Sequence, residues 1–93
     1  MFKTQIENKL KIIFNPVYLK INYKNNYLNN IKRNFKIIIV SDNFINQRFI
    51  TRHRFVYSVL TKELNNIHSL SLCTYTITEW KKLKYTIPIF LNN

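Results

Sequence analysis

An α+β fold is predicted by three features of this 93-residue chain. Apolar residues recur at helical spacing near the start and in the middle, and apolar and polar residues alternate in the stretches between. A hydroxyl–carboxylate pair then opens one more helix near the end. The resulting order is helix, strand, strand, helix, strand, helix, in a single domain over residues 1–85 with a tail at 86–93. Three strands are expected in one mixed sheet, the first two antiparallel, with helices packed on one face. At this length one thin core is available and a deep catalytic cleft is not.

The first helix rests on Phe2, Ile6, Leu10, Ile13 and Phe14, with Lys3, Glu7 and Lys11 on the other side. It should end before Asn15-Pro16, because a residue preceding proline disfavours the α region. Val17, Leu19 and Ile21 alternate with Tyr18, Lys20 and Asn22, the pattern of a half-buried strand. Residues 24–34 are rich in Asn and Lys without a clear period and read as a loop. Residues 35–40 are apolar and β-branched with Lys36 as the one charge, so they form a central strand, closed by a turn at Ser41-Asp42-Asn43.

A second helix is expected over 51–65, capped by Thr51 and buried along Val56, Val59, Leu60 and Leu64. Residues 68–75 alternate as a third strand, Leu70 and Leu72 on one face and Ser69, Ser71 and Cys73 on the other. Thr76-Ile77-Thr78-Glu79 has the form of a capping box and opens a short helix through Trp80 to about residue 84. The chain has no glycine, so turns that need a positive φ must use Asn, the next most tolerant residue. Leu10, Phe14, Ile37, Ile39, Val56, Leu60, Leu70 and Leu72 are the expected core.

Fifteen Lys and Arg stand against four Asp and Glu, a net charge of +11. Such an excess attracts nucleic acid, acidic partners or anionic lipid. A compositional drift toward Ile, Asn and Lys accounts for it equally well. Cys73 is the one cysteine, so no internal disulfide can form and a reducing compartment fits. The longest aliphatic run, 37–40, is far short of a membrane span, and no segment reads as a targeting signal. A cytoplasmic protein is expected. With few carboxylates, none adjoining in a motif, and no glycine for a phosphate loop, no enzyme constellation is present.

The run FINQRFITRHRFVYSVLTKELNNIHSLSL, residues 44–72, resembles the signature of the BolA family. That signature pairs a Phe-x-Gly turn with an Arg-His-Arg helix start, a Val/Ile-Tyr pair, a Glu-Leu near the helix end and a His opening the last strand. Here these are Phe44, Arg52-His53-Arg54, Val56-Tyr57, Glu63-Leu64 and His68. The flanking runs NPVYLKI, IIIVSDNF and TYTITEW agree with it. The resemblance implies a fold like a class II KH domain, with an added turn of helix after the second strand. It implies pairing with a monothiol glutaredoxin, sometimes around a shared [2Fe-2S] cluster completed by glutathione. It also implies regulation of cell-shape and stress genes through a helix-turn-helix-like surface on double-stranded DNA, by a monomer or weak homodimer.

Two positions depart from the family pattern. Asn46 replaces the glycine of the turn, and no His or Cys occurs before His53, so the cluster ligand expected between the first two strands is missing. Asn29 falls near that ligand, and Asn34 takes the place of another common His.

The resemblance makes His68 a candidate cluster ligand, since imidazole suits Rieske-like iron. Its parity with Leu70 and Leu72 fits the edge of a core face as well. His53, between two arginines at a helix start, reads as structural, supporting the turn by a hydrogen bond. Arg48, Arg52 and Arg54 surround that start, where free backbone N–H groups and a positive dipole end suit phosphate. Asn46 and Gln47 stand where KH proteins place a glycine-rich clamp. The alternative is a solvated basic edge or a docking surface for an acidic partner. Cys73 reads as packing, and Trp80 and the tyrosines as core and rim residues that form no stacking array.

Overall fold

A computed structural model of the protein describes residues 2–25 and 33–86. Helix α1 spans Phe2–Phe14, strand β1 Tyr18–Asn25 and strand β2 Arg33–Val40. A 3-10 turn at Asp42–Phe44 leads to α2, Phe49–Val59, and the short α3, Thr61–Leu64. Strand β3, Ile67–Tyr75, and helix α4, Ile77–Thr86, complete the chain. This is the expected α-β-β-α-β-α order with its extra turn after β2. The expected loop ligand position, Asn29, and the tail beyond Thr86 lie outside the described residues.

The sheet runs β1-β2-β3, with β1 antiparallel and β3 parallel to β2. Ile21, Ile37, Ile39 and Phe35 point from it toward α1 and α2, where Ile6, Leu10, Phe14, Val56 and Leu60 meet them. These side chains are all but closed to solvent, and each contributes about 1.5–3 kcal/mol by leaving water. Leu70 and Leu72, expected in the core, are half-buried against it, because β3 is an edge strand. Ile13, expected on the buried stripe of α1, is 43% exposed, and Val17 stays outside the strand. The loop expected over 24–34 is shorter, since cross-strand pairing continues out to Asn25 and Arg33.

Asn15 and Asn46 adopt positive φ, 44° and 64°, the left-handed geometry a glycine-free chain assigns to asparagine. Asn15 stops α1 with its N–H bonded back to the Lys11 carbonyl. The carbonyls of Phe14 and Ile13, orphaned at that helix end, accept from the Ser41 hydroxyl at 2.6 Å and the Asn43 amide at 3.1 Å. The turn after β2 thus seals the end of α1, and the buried Phe14 and Phe44 rings meet there at 5.3 Å.

Helix α2 begins at Phe49, so Thr51 lies inside it and Arg48 is the N-cap, with no side-chain cap bond. Arg52 winds this first turn by reaching back twice, its N–H to the Arg48 carbonyl and its Nε to the Gln47 carbonyl. The helix expected over 51–65 is broken at Leu60. There the Thr61 hydroxyl binds the Tyr57 and Ser58 carbonyls in competition with the backbone. At the other end of the chain the capping box forms as expected. The Thr76 N–H donates to Glu79 at 2.9 Å and the Glu79 N–H to the Thr76 hydroxyl at 3.2 Å.

Trp80, projecting from α4, stacks on Tyr18 at 5.0 Å and tilts against Tyr75 at 5.7 Å. Tyr18 and Tyr75 flank Val40 in register on the side of the sheet away from α1 and α2, which explains why Val40 is fully buried there. Trp80, Tyr18 and Tyr75 thus form a stack that closes this end of the second sheet face, whereas Tyr23 stacks on Phe35 and Tyr57 is exposed.

Candidate nucleic-acid interface

One helical turn separates Arg52 from Val56 and another Val56 from Leu60, so all three face inward. Arg52 is 4% exposed. Its Nη1 and Nη2 donate to the two Glu79 carboxylate oxygens at 2.7 and 3.1 Å, a bidentate pair. Nη1 also reaches the Thr74 carbonyl at 3.3 Å, and Nε the Gln47 carbonyl at 3.0 Å. The guanidinium lies 4.6 Å from the Phe49 ring centroid and 5.8 Å from that of Phe44. These hydrogen bonds hold the Glu79 carboxyl below its ordinary range; burial opposes the shift and the Thr76 N–H assists it.

Arg52 was expected to face a phosphate. Helix phase turns it inward instead, and donors on all three of its nitrogens are engaged within the fold. It joins the turn before α2, the end of β3 and the start of α4.

Arg48 and Arg54 remain exposed, but not side by side. Arg48 caps the helix, while Arg54 stands on the face opposite Arg52. Asn46 is exposed at the left-handed corner of the turn. Gln47 is half-buried, and its side-chain oxygen is enclosed without a hydrogen-bond partner among the described residues. His53 is half-buried and its ring makes no hydrogen bond among the described residues. The support expected from His53 comes from Arg52.

The outward face of α2 was not singled out from the sequence. Ile50, Thr51, Arg54, Tyr57 and Ser58 are all exposed, and none is acidic. The signal was present: these positions are out of phase with Val56 and Leu60 by half a helical turn. The side chains of this face include a guanidinium, hydroxyls and an apolar group, the chemistries that can meet guanine, any base edge and a thymine methyl group in a major groove.

His68 is the second residue of β3, and its side chain lies outside the described residues. The backbone places it as the extra residue of a bulge, since Arg33 pairs with Ile67 and Asn34 with Ser69. The neighbouring Ile67 is buried. Across from the bulge the Asn34 side-chain oxygen accepts a hydrogen bond from the Ser69 hydroxyl at 2.8 Å. Cys73 lies about 16 Å further along β3, at roughly 3.3 Å per residue, too far to share an ion with residue 68. Among the described residues no three His, Cys, Asp or Glu side chains gather where they could hold a metal. An amide oxygen is a hard, neutral donor, ill suited to iron–sulfur chemistry. The donor set of this chain therefore does not match a [2Fe-2S] cluster held by two of its side chains. Cys73 instead borders Tyr75, whose phenol is raised above its ordinary value, first by burial and then by that thiol.

Among the described residues no helix is long and apolar enough to cross a membrane. A family model described as BolA-like protein matches residues 7–79. The chain is 42% identical over 91 residues to "DNA-binding transcriptional regulator BolA" of Escherichia coli (strain K12), covering 94% of this chain and 87% of that protein. The protein of the same description from Vibrio cholerae is 37% identical, with 95% and 87% covered. Among solved structures, a Bol-like protein from Babesia bovis superposes with a TM-score of 0.79 at 26% identity, over 88% of this chain and 92% of that one. BolA1 from Arabidopsis thaliana superposes with a TM-score of 0.75 at 30% identity, over 85% and 95%.

Proposed function

The chain belongs to the BolA family, and from that premise we propose that it is a non-enzymatic regulator that contacts duplex DNA through the outer face of α2. The observation that carries this reading is the exposed, acid-free stripe centred on Arg54, with Arg48 at an uncapped helix start. Phosphate at that start meets free N–H groups and the positive end of the helix dipole. Arg52 serves the same interface from inside by fixing α2 against β3 and α4. The relatives from E. coli and V. cholerae are described as DNA-binding regulators, which supports the reading.

The test is fluorescence anisotropy on a labelled duplex between 50 and 200 mM salt. The full chain should lose affinity steeply as salt rises, because neutralised phosphates release counterions. The double variant Arg48→Ala/Arg54→Ala removes two such contacts, so the log–log slope should flatten by about 1.8. An unchanged slope would place the duplex site elsewhere.

A second reading has its own observation. Ile45 and Phe49, 52% and 56% exposed, flank the turn into α2 as an apolar patch suited to a protein surface. The partner under this reading is a monothiol glutaredoxin, bound through protein contacts rather than through a retained cluster.

A further inference from the structure

The sheet has a second face, and α4 closes only one end of it. Beyond the Tyr18–Trp80 stack the side chains that point away from α1 and α2 are first the half-buried Ile38 and Cys73, in register with Lys20, and then polar ones. Lys20 and Asn22 come from β1, Asn34 and Lys36 from β2, Ser69 and Ser71 from β3, and all six are exposed. Register sets them side by side: Asn22 faces Lys36, Lys36 faces Ser71, and Asn34 faces Ser69. A shallow groove of about 520 Å³ runs over Asn22, Asn34, Lys36, Ser69 and Ser71 and is lined as well by Tyr23 and Phe35.

The charge of this face is one-sided. All four carboxylates of the chain lie off the strands, and three of them are held in ion pairs with Lys9, Lys11 and Arg52. Lys20 and Lys36 have no carboxylate partner among the described residues. Lys20 stands beside Ile38, while the cross-strand neighbours of Lys36 are the amide of Asn22 and the hydroxyl of Ser71, groups that both donate and accept and so match the edges of bases. At the closed end Tyr18, 38% exposed and braced by Trp80, offers a held aromatic ring.

We propose that this open sheet face binds single-stranded nucleic acid, with Lys20 and Lys36 on its phosphates, the groove's amides and hydroxyls on its bases, and Tyr18 as a stacking platform. A cationic track beside an aromatic ring is the combination that holds unpaired strands. A flat sheet three strands wide does not enter a duplex groove as a helix does, whereas unstacked bases can lie on it. An acidic peptide would use the lysines and leave the ring and the amides without a role. The site is separate from the duplex surface proposed on α2, and each can fail without the other.

The experiment uses the full chain, a labelled twelve-nucleotide single strand and a duplex of the same sequence, with anisotropy at several salt concentrations. Lys20→Ala/Lys36→Ala should weaken single-strand binding at least about tenfold and flatten its salt slope by about 1.4, leaving duplex binding within twofold. Arg48→Ala/Arg54→Ala should show the reverse pattern. Both lysines are exposed, so an unchanged urea midpoint will confirm that the variant is folded. Amide shifts on titrating the single strand should centre on residues 20–22, 34–36 and 69–71. Single-strand affinity unchanged in the lysine variant overturns the proposal. Equal losses on both nucleic acids, or displacement of the strand by polyglutamate at equal charge concentration, also overturn it, by reducing the effect to net charge.

Discussion

Arg52→Ala is expected to cost about 2–4 kcal/mol of folding stability, read as a fall in melting temperature of about 10–25 °C. The change removes every hydrogen bond from the guanidinium to Gln47, Thr74 and Glu79 and leaves a void beside Phe44 and Phe49. The cost stays below that of a fully buried pair because Glu79 is 37% exposed and water can partly replace its partner. Arg52→Lys recovers only part of the loss, since an ammonium cannot form the fork. Arg54→Ala, on the outer face, should stay within about 0.5 kcal/mol of the parent. The pair also leaves a signature in acid. Because the folded carboxyl of Glu79 titrates below its unfolded value, the contribution is complete above the ordinary carboxylate range, around pH 4.3. It is lost as pH falls through the depressed folded value. Glu79→Gln should therefore lower stability at neutral pH and remove that part of the acid limb. Arg52→Ala with parental stability would mean that the side chain points outward.

Mixed with a monothiol glutaredoxin carrying a [2Fe-2S] cluster, this chain is expected to form no cluster-bound complex that survives gel filtration. The protein-only complex should still be measurable by calorimetry. The apolar patch at Ile45 and Phe49 is independent of any ligand, whereas a shared cluster asks for a second imidazole or thiolate that the chain lacks before His53. Removing even an outer partner of a metal ligand costs about 10–100-fold in affinity, and a missing direct ligand costs at least as much. Asn34→His puts an imidazole in the ladder beside the bulge at residue 68, and should lengthen the life of the complex as followed by visible circular dichroism. A stable new spectrum with the parent chain, lost on His68→Ala, would show that another residue completes the coordination. Absence of any complex by calorimetry would remove glutaredoxin as a partner and leave the nucleic-acid reading alone.

Much of this fold is written in local pattern. The period of Ile6, Leu10 and Phe14, the alternation through Leu19 and Ile21, and the Thr76–Glu79 box each concern residues within a few positions of one another, where stereochemistry decides. The asparagines at positive φ follow from the lack of glycine. What escaped was relational. Arg52 reads as a surface cation because arginine usually is one, yet it shares helical phase with Val56 and Leu60, and its partner lies in a capping box 27 residues away. The single added residue in β3 lies in a stretch where alternation alone looks unbroken. Trp80 meets its tyrosines only because β1 and β3 both flank β2. In the candidate site, composition revealed that the surface is basic, while topology places part of that charge on the outer face of α2 and part on the open face of the sheet.

The pairing of the carboxylates with the chain's own cations has a consequence for how copies of this chain treat one another. With Glu7, Glu63 and Glu79 neutralised by their own lysines and arginine, two molecules approach as like-charged bodies from most directions. Repulsion of this kind is damped over a screening length of about 10 Å at 0.1 M salt and about 3 Å at 1 M. Self-association should accordingly be weakest in dilute buffer and rise with ionic strength, which sedimentation across a salt series will read. The nucleic-acid binding proposed above runs the opposite way. Dilute salt thus favours a solitary molecule coating a polyanion, and concentrated salt favours homotypic contact, so the ionic medium itself selects which kind of neighbour the protein keeps.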